Sequence, residues 1–527
     1  MVTGGEAVVQ ALRELGVRDI FSVSGNQVLP IYDAASENGL RILHMRHESA
    51  CAFAAAGAAE LTSRPGVILT SAGPAFLAAL TGVGAVRAME LPLLFLSGSS
   101  PIQNSGFGNF QELDQSFVAS RAICKASLAA SSVESIPQVI RNAWHLALDG
   151  IPGPVHVSLP ADVLLHKAST VTQPATPLMT AVEPDSTVLD EIAALLAAAE
   201  RPLIIVRPAA ARGRTGELVH RLASQLRIAP VITGPPRALA DSKYLHIAPH
   251  YKSSDCALVI APSDYALGFL DESIIAAKGK LVVIDSPGDP PLRRTPTIHT
   301  QAPPQDAIEH LVRKTEGGGR CESAWSELWS NTPSPDIPMD TKLNEVHPLE
   351  VAACIRKALR PDDILSVDGG EFCQWMRQGL HDAPNRWLWN SKFGIIGNSI
   401  PMAFGVMAAG HRGRTIAIMG DGGSAYHIAE FEAAARYGLP FTAIIGNDAR
   451  WGAEWHLQAH RYGPDRTFDT ELLRARYDQV ATGYGAIGFH AQSAAEFREA
   501  LDASLASGKP ACINVDVQSL RSPSVPP

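Results

Sequence analysis

Short apolar runs alternate with amphipathic segments along most of this chain, and small or polar residues follow many of the runs. The runs predict buried strands at residues 19–23, 42–45, 67–70, 93–96, 153–160, 203–206, 229–232, 257–260, 281–284, 364–367, 415–419 and 441–445. Apolar positions at helical spacing, as in residues 4–15 and 49–61, predict helices between strands. Because this alternation is typical of parallel sheets covered by helices, we expect an α/β protein.

Two segments rich in proline and small polar residues divide the chain. Residues 166–185 and 316–345 are predicted to be linkers. They separate three predicted doubly wound parallel-sheet domains, called here the first (1–165), the central (186–315) and the third (346–520). The last nine residues, SLRSPSVPP, are expected to form a loose tail.

Residues 414–452 carry the strongest chemical pattern. A predicted strand leads into the turn Gly420-Asp421-Gly422-Gly423, then a helix ends at Gly438, and a second strand leads into Asn447 and Asp448. A right-handed crossover brings the ends of both strands to the same sheet edge. Two carboxylates there suit Mg²⁺, and glycines let backbone N–H groups approach a diphosphate. The alternative is an ordinary turn that binds no nucleotide.

This segment resembles the thiamine diphosphate motif of the acetolactate synthase-like superfamily. The resemblance implies that Asp421 and Asp448 ligate Mg²⁺ through their side chains and Arg450 through its backbone carbonyl. It implies cofactor contacts for Gly420, Asp421, Gly422, Gly423, Ser424, Asp448, Trp451 and Gly452. Many members have Asn where this chain has Asp448, so the chain adds a negative charge to the expected metal site.

Glu48 is the central catalytic candidate in the first domain. It stands in Arg46-His47-Glu48, between a predicted strand and an alanine-rich helix. In the resembled superfamily, this glutamate hydrogen-bonds the aminopyrimidine ring and promotes loss of the thiazolium C2 proton. The alternative is a carboxylate that only stabilises the start of a helix.

Two glycine-containing turns in the third domain match further cofactor contacts of the superfamily. In Gly394-Ile395-Ile396-Gly397, Ile396 would hold the cofactor in its bent conformation and the Gly394 carbonyl would accept from its amino group. Asp368-Gly369-Gly370 resembles the turn near the diphosphate, with Asp368, Gly369 and Gly370 as implied cofactor contacts. Ordinary glycine turns remain the alternative for both segments.

Substrate-facing residues are expected in two loops of the first domain. The resemblance points Gln111 into the substrate cavity and places Asn26 and Gln27 in a loop that faces the substrate in relatives. Without the resemblance, these are polar loop residues. The segment 71–76 departs from the family pattern, because it lacks the second glycine and the asparagine that form part of the usual pocket wall. Trp451, Glu454, Trp455 and His456 follow the metal loop and are further candidates for lining the cavity.

The resemblance is closest to the benzaldehyde lyase and 2-hydroxyacyl-CoA lyase branch. The segments 2–6, 426–431 and 462–466 carry this likeness. It implies a thiamine diphosphate- and Mg²⁺-dependent carbon–carbon lyase or carboligase acting on a 2-hydroxyacyl-CoA or a 2-hydroxyketone. The alternatives are a 2-oxo acid decarboxylase, an acetolactate synthase-type enzyme and a catalytically silent cofactor-binding homologue.

The central domain offers little for a second cofactor. No Gly-x-Gly follows its first predicted strand, so FAD is not expected. Arg207, Arg212 and Arg214 could meet the phosphates of a CoA thioester or could face water. Asp285, at the end of a predicted strand, could hold an adenine ribose, although a plain strand-terminal acid is the simpler interpretation.

Composition limits the partners and the location. A net charge of −9 argues against nucleic acid, and the lack of an apolar run of about 18 residues argues against a membrane span. Seven scattered cysteines without a CxxC pair, and no basic-then-apolar leader, favour the cytoplasm. The resemblance implies a small-molecule substrate and a homo-oligomer, at least a dimer and commonly a tetramer. In relatives the cofactor lies between the first, pyrimidine-binding domain of one subunit and the third, diphosphate-binding domain of another.

Overall fold

The computed structural model describes residues 1–119, 123–169, 184–234, 237, 239, 241–260, 275–286, 295–330, 345–383 and 386–523. In these residues the strands form three parallel sheets and one small antiparallel pair. This confirms the predicted α/β class with three parallel-sheet domains. Residues 170–183 and 331–344 of the two predicted linkers lie outside the described residues, whereas Ser323–Ser330 of the second one form a helix whose Trp325 is buried in the central-domain core.

The first domain contains a six-stranded parallel sheet. The six strands of this sheet are β2 (Asp19–Ser22), β3 (Arg41–His44), β4 (Gly66–Thr70), β5 (Leu93–Ser99), β6 (Ala126–Ala129) and β7 (Pro154–Pro160). Two short strands of the same domain, β1 (Val2–Thr3) and β8 (Lys167–Ala168), lie outside the sheet. The sheet order is β3-β2-β4-β5-β7-β6, and β1 pairs with β8. The α-helices are Gly4–Glu14, Leu29–Asn38, Glu48–Thr62, Pro74–Ala88, Gln115–Val118, Ile136–Leu148 and Ala161–Leu165.

The central domain contains a five-stranded parallel sheet in the order β10-β9-β11-β12-β13. The strands are β9 (Pro202–Val206), β10 (Val231–Ile232), β11 (Ser254–Ile260), β12 (Ile275–Asp285) and β13 (Ile298–Gln301). Its described α-helices are Ser186–Ala198, Gly213–Gln225, Pro304–Lys314 and Ser323–Ser330.

The third domain repeats the topology of the first. Its strands are β14 (Ile364–Val367), β15 (Arg386–Trp389), β16 (Thr415–Gly420), β17 (Thr442–Asn447), β18 (Ile487–Ala491) and β19 (Ala511–Asp516), in the order β15-β14-β16-β17-β19-β18. Its α-helices are Pro348–Ala358, Glu371–Gly379, Ser399–Ala408, Asp421–Ser424, Glu430–Tyr437, Gly452–Tyr462, Tyr477–Gly483 and Ala494–Ala506. The helix predicted to end at Gly438 is Glu430–Tyr437, and the short helix Asp421–Ser424 precedes it.

The first and third domains share one hydrophobic core. Helix Glu48–Thr62 packs against helix Ser399–Ala408, and glycines allow the close approach. A Cβ atom at Gly57 would lie 2.1 Å from the Met402 carbonyl oxygen, and one at Gly405 would lie 1.8 Å from that of Ala54. Since no larger residue fits at either contact, these glycines fix how the two domains meet.

The tail is not loose over its described part, which corrects the sequence expectation. The indole N–H of Trp375 donates to the Leu520 carbonyl at 2.9 Å, and the backbone N–H of Ser522 donates to Glu371. The Ser519 hydroxyl donates to Asp448 at 2.9 Å. These bonds fasten residues 519–522 to the third domain beside its sheet edge. Among the described helices, none combines the length and apolar character that crossing a bilayer requires.

Candidate active site

A cavity of about 500 Å³ opens at the carboxyl edge of the third-domain sheet. Strands β16 and β17 are neighbours in register, with Gly420 beside Gly446, so the loops that follow them meet there. Predicted cofactor or metal residues in its lining are Gly369, Gly370, Gly394, Ile396, Gly420, Asp421, Gly422, Gly423, Asp448, Arg450, Trp451 and Gly452. The fold therefore gathers three separate sequence motifs around one space.

Asp421 and Asp448 provide two carboxylates in this cavity. Asp421 is 2% exposed, and its Oδ2 atom has no hydrogen-bond partner among the described residues. Burial, and then the charge of Asp448, raise the pKa of Asp421 to about 7. Burial also raises the pKa of Asp448. An unpartnered buried oxygen beside a second carboxylate is the arrangement that a divalent cation stabilises.

The backbone around the two carboxylates fits a metal with a phosphate ligand. Ala449 adopts a left-handed φ of 55°, and the backbone of the next residue, Arg450, lowers the pKa of both carboxyl groups, against the larger effect of burial. A Cβ at Gly452 would lie 3.0 Å from Asp448 Oδ2. No cluster of three His, Cys, Asp or Glu side chains that could hold a metal occurs in the described ranges. A cation here would therefore need backbone and phosphate oxygens to complete its shell.

Asp368 lies behind the cavity lining and holds the loop that carries Ile396. It is fully buried, and its carboxylate accepts from the N–H groups of Gly369 and Gly397, each at 2.7 Å. Burial raises its pKa to about 7. Ser424 is also buried and does not line the cavity. Its hydroxyl donates to the Asp421 carbonyl at 2.7 Å. Both side chains shape the backbone of the site.

The substrate candidates of the first domain lie apart from this cavity within one chain. The Gln27 amide donates to Gln111 Oε1 at 3.0 Å, and the Ser71 hydroxyl donates to Gln27 Oε1. Gln111 adopts a left-handed φ of 60°, a strained conformation for a side chain of this kind. A Cβ at Gly73 would lie 2.9 Å from the Gln111 Cβ. The three polar side chains therefore form one organised cluster, and Asn26 beside them is exposed.

Glu48 begins the helix Glu48–Thr62, is half-buried, and is absent from the cavity lining. Its neighbours contact the third domain instead. The Ser49 hydroxyl lies 2.8 Å from His427 Nε2, and the backbone N–H of Arg46 donates to both oxygens of Glu430 at 3.1 and 3.2 Å. The start of this helix is thus fixed at the boundary between the two domains.

The central-domain arginines make ion pairs. Arg207 forms a buried two-point pair with Glu90 of the first domain, at 3.0 and 3.1 Å. Arg212 pairs with Glu60, also of the first domain, at 2.6 Å. Arg214 is exposed and pairs with Glu217 on its own helix at 3.2 Å. These contacts hold the first and central domains together. Asp285 is buried and lies 2.7 Å from the His299 imidazole.

Sequence reasoning missed part of the lining. Glu454 was expected there, but Arg237, Glu371, Phe372, Gln374 and Asn390 were not. Glu371 directly follows the Asp368-Gly369-Gly370 turn at the start of a helix, a position that could have suggested it. In the sequence, Arg237 follows strand β10 and the residues Gly-Pro-Pro, and it is the central domain's contribution to the described lining.

Comparison with known proteins agrees with this geometry. The N-terminal TPP binding domain of thiamine pyrophosphate enzymes matches residues 2–118, and the C-terminal TPP binding domain matches residues 368–515. The chain is 28% identical to an acetolactate synthase large subunit of Mycobacterium tuberculosis, over 99% of this chain and 96% of the relative. It is 26% identical to mouse 2-hydroxyacyl-CoA lyase 2, over 92% and 84%. It is also 26% identical to the large subunit of acetolactate synthase isozyme 1 of Escherichia coli, over 100% and 96%. The chain belongs to the acetolactate synthase-like superfamily of thiamine diphosphate-dependent enzymes, which act on carbon–carbon bonds.

Proposed function

We propose that this protein is a thiamine diphosphate- and Mg²⁺-dependent lyase or carboligase that breaks or forms the bond between a carbonyl carbon and a hydroxyl-bearing carbon. The observation that carries the proposal is the cavity in which Asp421 and Asp448 face the same space as Ile396 and the glycine turns. The two carboxylates and the Arg450 carbonyl would hold Mg²⁺. The backbone of residues 369–370 and 422–423 would receive the diphosphate.

The chain's own residues position and activate the cofactor. When bound, thiamine diphosphate supplies a carbon nucleophile and an electron sink for the broken bond. Ile396 would support the bent form, because Asp368 fixes the backbone N–H of the next residue, Gly397. Glu48 would share a proton with the aminopyrimidine ring, which is the role of a positioned general acid–base.

The site requires a second copy of the chain. Glu48, Gln27 and Gln111 do not line the cavity of their own chain, although the proposed chemistry needs them beside the cofactor. Large aromatic side chains are exposed in both domains that would contribute to the site. Phe107 and Phe110 lie beside Gln111 in the first domain, and Phe393 and Tyr426 lie beside the cavity in the third. A dimer that joins the first domain of one subunit to the third of the other would bury these surfaces and complete two sites. Further pairing to a tetramer is compatible with this arrangement.

A neutral substrate fits the first-domain cluster best. Gln27, Ser71 and Gln111 offer amide and hydroxyl groups without a charge, which suits the carbonyl and hydroxyl of a 2-hydroxyketone or 2-hydroxyacyl thioester. For a CoA thioester, the phosphates would need cations other than Arg207 and Arg212, since Glu90 and Glu60 already neutralise these.

Acetolactate-type chemistry is the second candidate, favoured by two observations. The chain spans nearly the full length of two acetolactate synthases. Arg237 in the cavity lining supplies a positive charge that could receive the carboxylate of a 2-oxo acid. We place it second because the first-domain cluster has no charge of its own.

Product analysis decides between these substrates. The protein, loaded with thiamine diphosphate and Mg²⁺, is incubated separately with a short 2-hydroxyacyl-CoA, an aromatic 2-hydroxyketone and pyruvate, and products are identified by mass spectrometry. An aldehyde or ketone from either hydroxy compound supports the lyase, with formyl-CoA marking the thioester substrate. Release of CO₂ with acetolactate from pyruvate supports the second candidate. Unchanged substrates in all three incubations would contradict both.

A further inference from the structure

The described end of the chain reaches the candidate metal site through one side chain. Residues 517–523 follow the last strand of the third-domain sheet, β19, and cross its carboxyl edge. The Ser519 hydroxyl donates to Asp448 Oδ2 at 2.9 Å. The nearest ring nitrogen of His456 lies 3.5 Å from the same hydroxyl. Asp448 is thus tied to a segment that is distant from the metal motif in sequence.

Several independent bonds hold Ser519 in place. On one side of it, the Gln518 backbone N–H donates to Val346 at 3.1 Å. On the other, Leu520 accepts from the Trp375 indole at 2.9 Å and the Ser522 N–H donates to Glu371. Trp375 and Glu371 belong to the helix whose start lines the cavity. The serine is therefore presented to Asp448 by an anchored backbone, not by a freely moving tail.

The hydrogen bond from Ser519 makes the two carboxylate oxygens of Asp448 different, because it occupies Oδ2 and not Oδ1. A small octahedral cation such as Mg²⁺ takes single oxygens at short range, whereas a carboxylate that offers both oxygens suits a larger ion such as Ca²⁺. Because Oδ2 accepts from Ser519, Oδ1 is the oxygen left free of this bond to face the metal. Partners that orient a ligand typically change metal affinity by about 10- to 100-fold when they are removed.

We infer that Ser519 is a positioning residue that orients Asp448 for a small divalent cation, so that the segment after strand β19 is part of the metal site. The inference rests on the proposed role of Asp421 and Asp448 as metal ligands. An aspartate has two anionic oxygens, whereas an asparagine has one neutral oxygen. The Ser519 hydroxyl binds one of the two Asp448 oxygens, Oδ2.

The test measures metal binding directly. Binding of Mn²⁺ to the full-length protein with thiamine diphosphate is followed from the electron paramagnetic resonance signal of the free ion. We expect Ser519→Ala to weaken binding at least tenfold, and Ser519→Thr to retain it because the hydroxyl is kept. Ser507→Ala is the matched control. Its half-buried hydroxyl also makes a local bond, 2.8 Å to the Ser504 carbonyl, but at the opposite edge of the sheet.

A double-variant comparison separates orientation from general packing. If Ser519 acts through Asp448, then Ser519→Ala has little further effect on Mn²⁺ binding in an Asp448→Ala background, which has no side-chain oxygen for Ser519 to orient. Unchanged Mn²⁺ affinity of Ser519→Ala, or an equal loss in both backgrounds, overturns the inference while the metal site stands. Lack of thiamine diphosphate-dependent Mn²⁺ binding by the unmodified protein overturns the metal site and the inference together.

Discussion

The imidazole of His427 joins residues that are far apart in the chain: its Nε2 atom lies 2.8 Å from the Ser49 hydroxyl, and its Nδ1 atom lies 2.7 Å from the Gly397 carbonyl oxygen. Because a carbonyl only accepts, Nδ1 carries the proton and Nε2 accepts from Ser49. Burial lowers the pKa of His427 to about 4, so the ring stays neutral near pH 7. This neutral ring links the helix that presents Glu48 to the loop that presents Ile396.

Replacing His427 by Phe should destabilise the protein. The Gly397 carbonyl would lose its partner, at a cost of about 1–3 kcal/mol, whereas the Ser49 hydroxyl would keep its contact with His47 Nδ1 at 2.7 Å. We expect a lower midpoint of urea unfolding, measured by tryptophan fluorescence. His145→Phe, at an exposed position on the helix Ile136–Leu148, is the control and should leave the midpoint unchanged. Equal midpoints for both variants would show that the bridge contributes nothing to stability.

Glu48→Gln should abolish most of the activity without preventing cofactor binding. An amide cannot share a proton with the aminopyrimidine ring, and loss of a general acid–base typically costs about 10²- to 10⁴-fold in rate. Single-turnover rates give the chemical effect, and quenching of tryptophan fluorescence gives the dissociation constant of thiamine diphosphate. The exposed Glu37→Gln variant serves as the control. A fully active Glu48→Gln protein would remove Glu48 from the proposed mechanism.

Mixing two inactive variants tests whether each site draws on both subunits. Glu48→Gln disables the first domain, and Asp421→Ala disables the third. If the sites form between subunits, then half the dimers formed by random exchange carry one intact site, so about one quarter of the original activity returns. Activity is measured after the variants are dissociated and reassociated together. Sites contained within one chain would return none, because every chain then carries a defect.

Asp448→Asn should weaken Mg²⁺ binding by about tenfold, because cation affinity follows the charge of the ligands. The same change removes a like charge that raises the pKa of Asp421, so Asp421 should lose its proton at lower pH. Calorimetric titration of Mg²⁺ in the presence of thiamine diphosphate measures the affinity. Asp465→Asn, at an exposed position, is the control. Equal Mg²⁺ affinities for Asp448→Asn and the original protein would contradict a role for the second charge.

Glu430 should make the stability depend on pH. Burial raises its pKa in the folded protein to about 8, above its ordinary value of 4.5, so the folded state holds a proton that the unfolded state releases. The contribution to stability is therefore complete below about pH 4.5 and is lost as the pH rises towards 8. Glu430→Gln keeps an acceptor for the Arg46 N–H and has no proton to lose. Its stability relative to the original protein should increase across this range, as measured by urea unfolding at several pH values.

Glu432, on the same helix, has a lowered pKa, so Glu432→Gln should show a different pH dependence of stability from Glu430→Gln. The pair with Arg436 lowers the pKa of Glu432, so its contribution is already complete above pH 4.5 and is lost only at lower pH. The stability difference between this variant and the original protein should stay constant from pH 5 to about 8. A parallel pH dependence for the two variants would contradict a protonated Glu430 in the folded protein.

The sequence by itself determined the fold class and the elements of the cofactor cavity. Strands such as Gly66–Thr70 and Ile364–Val367 are buried along their whole length, so they read as apolar runs, and the glycine turns that follow them mark the sheet edge. Strands Ala126–Ala129 and Ile487–Ala491 were not predicted. Both lie at sheet edges and are mostly half-buried, which leaves no continuous apolar run to recognise.

Only the tertiary structure decided which residues share a site. Glu48 and Asp421 both follow strands, yet the packing of the first domain on the third leaves Glu48 outside the lining of the cavity of its own chain. Ser519 lies in a segment whose composition predicted disorder, and its contact with Asp448 comes from strand β19, which directs the chain across the sheet edge. Such contacts depend on how sheets and helices pack in space, and local sequence patterns carry no record of that packing.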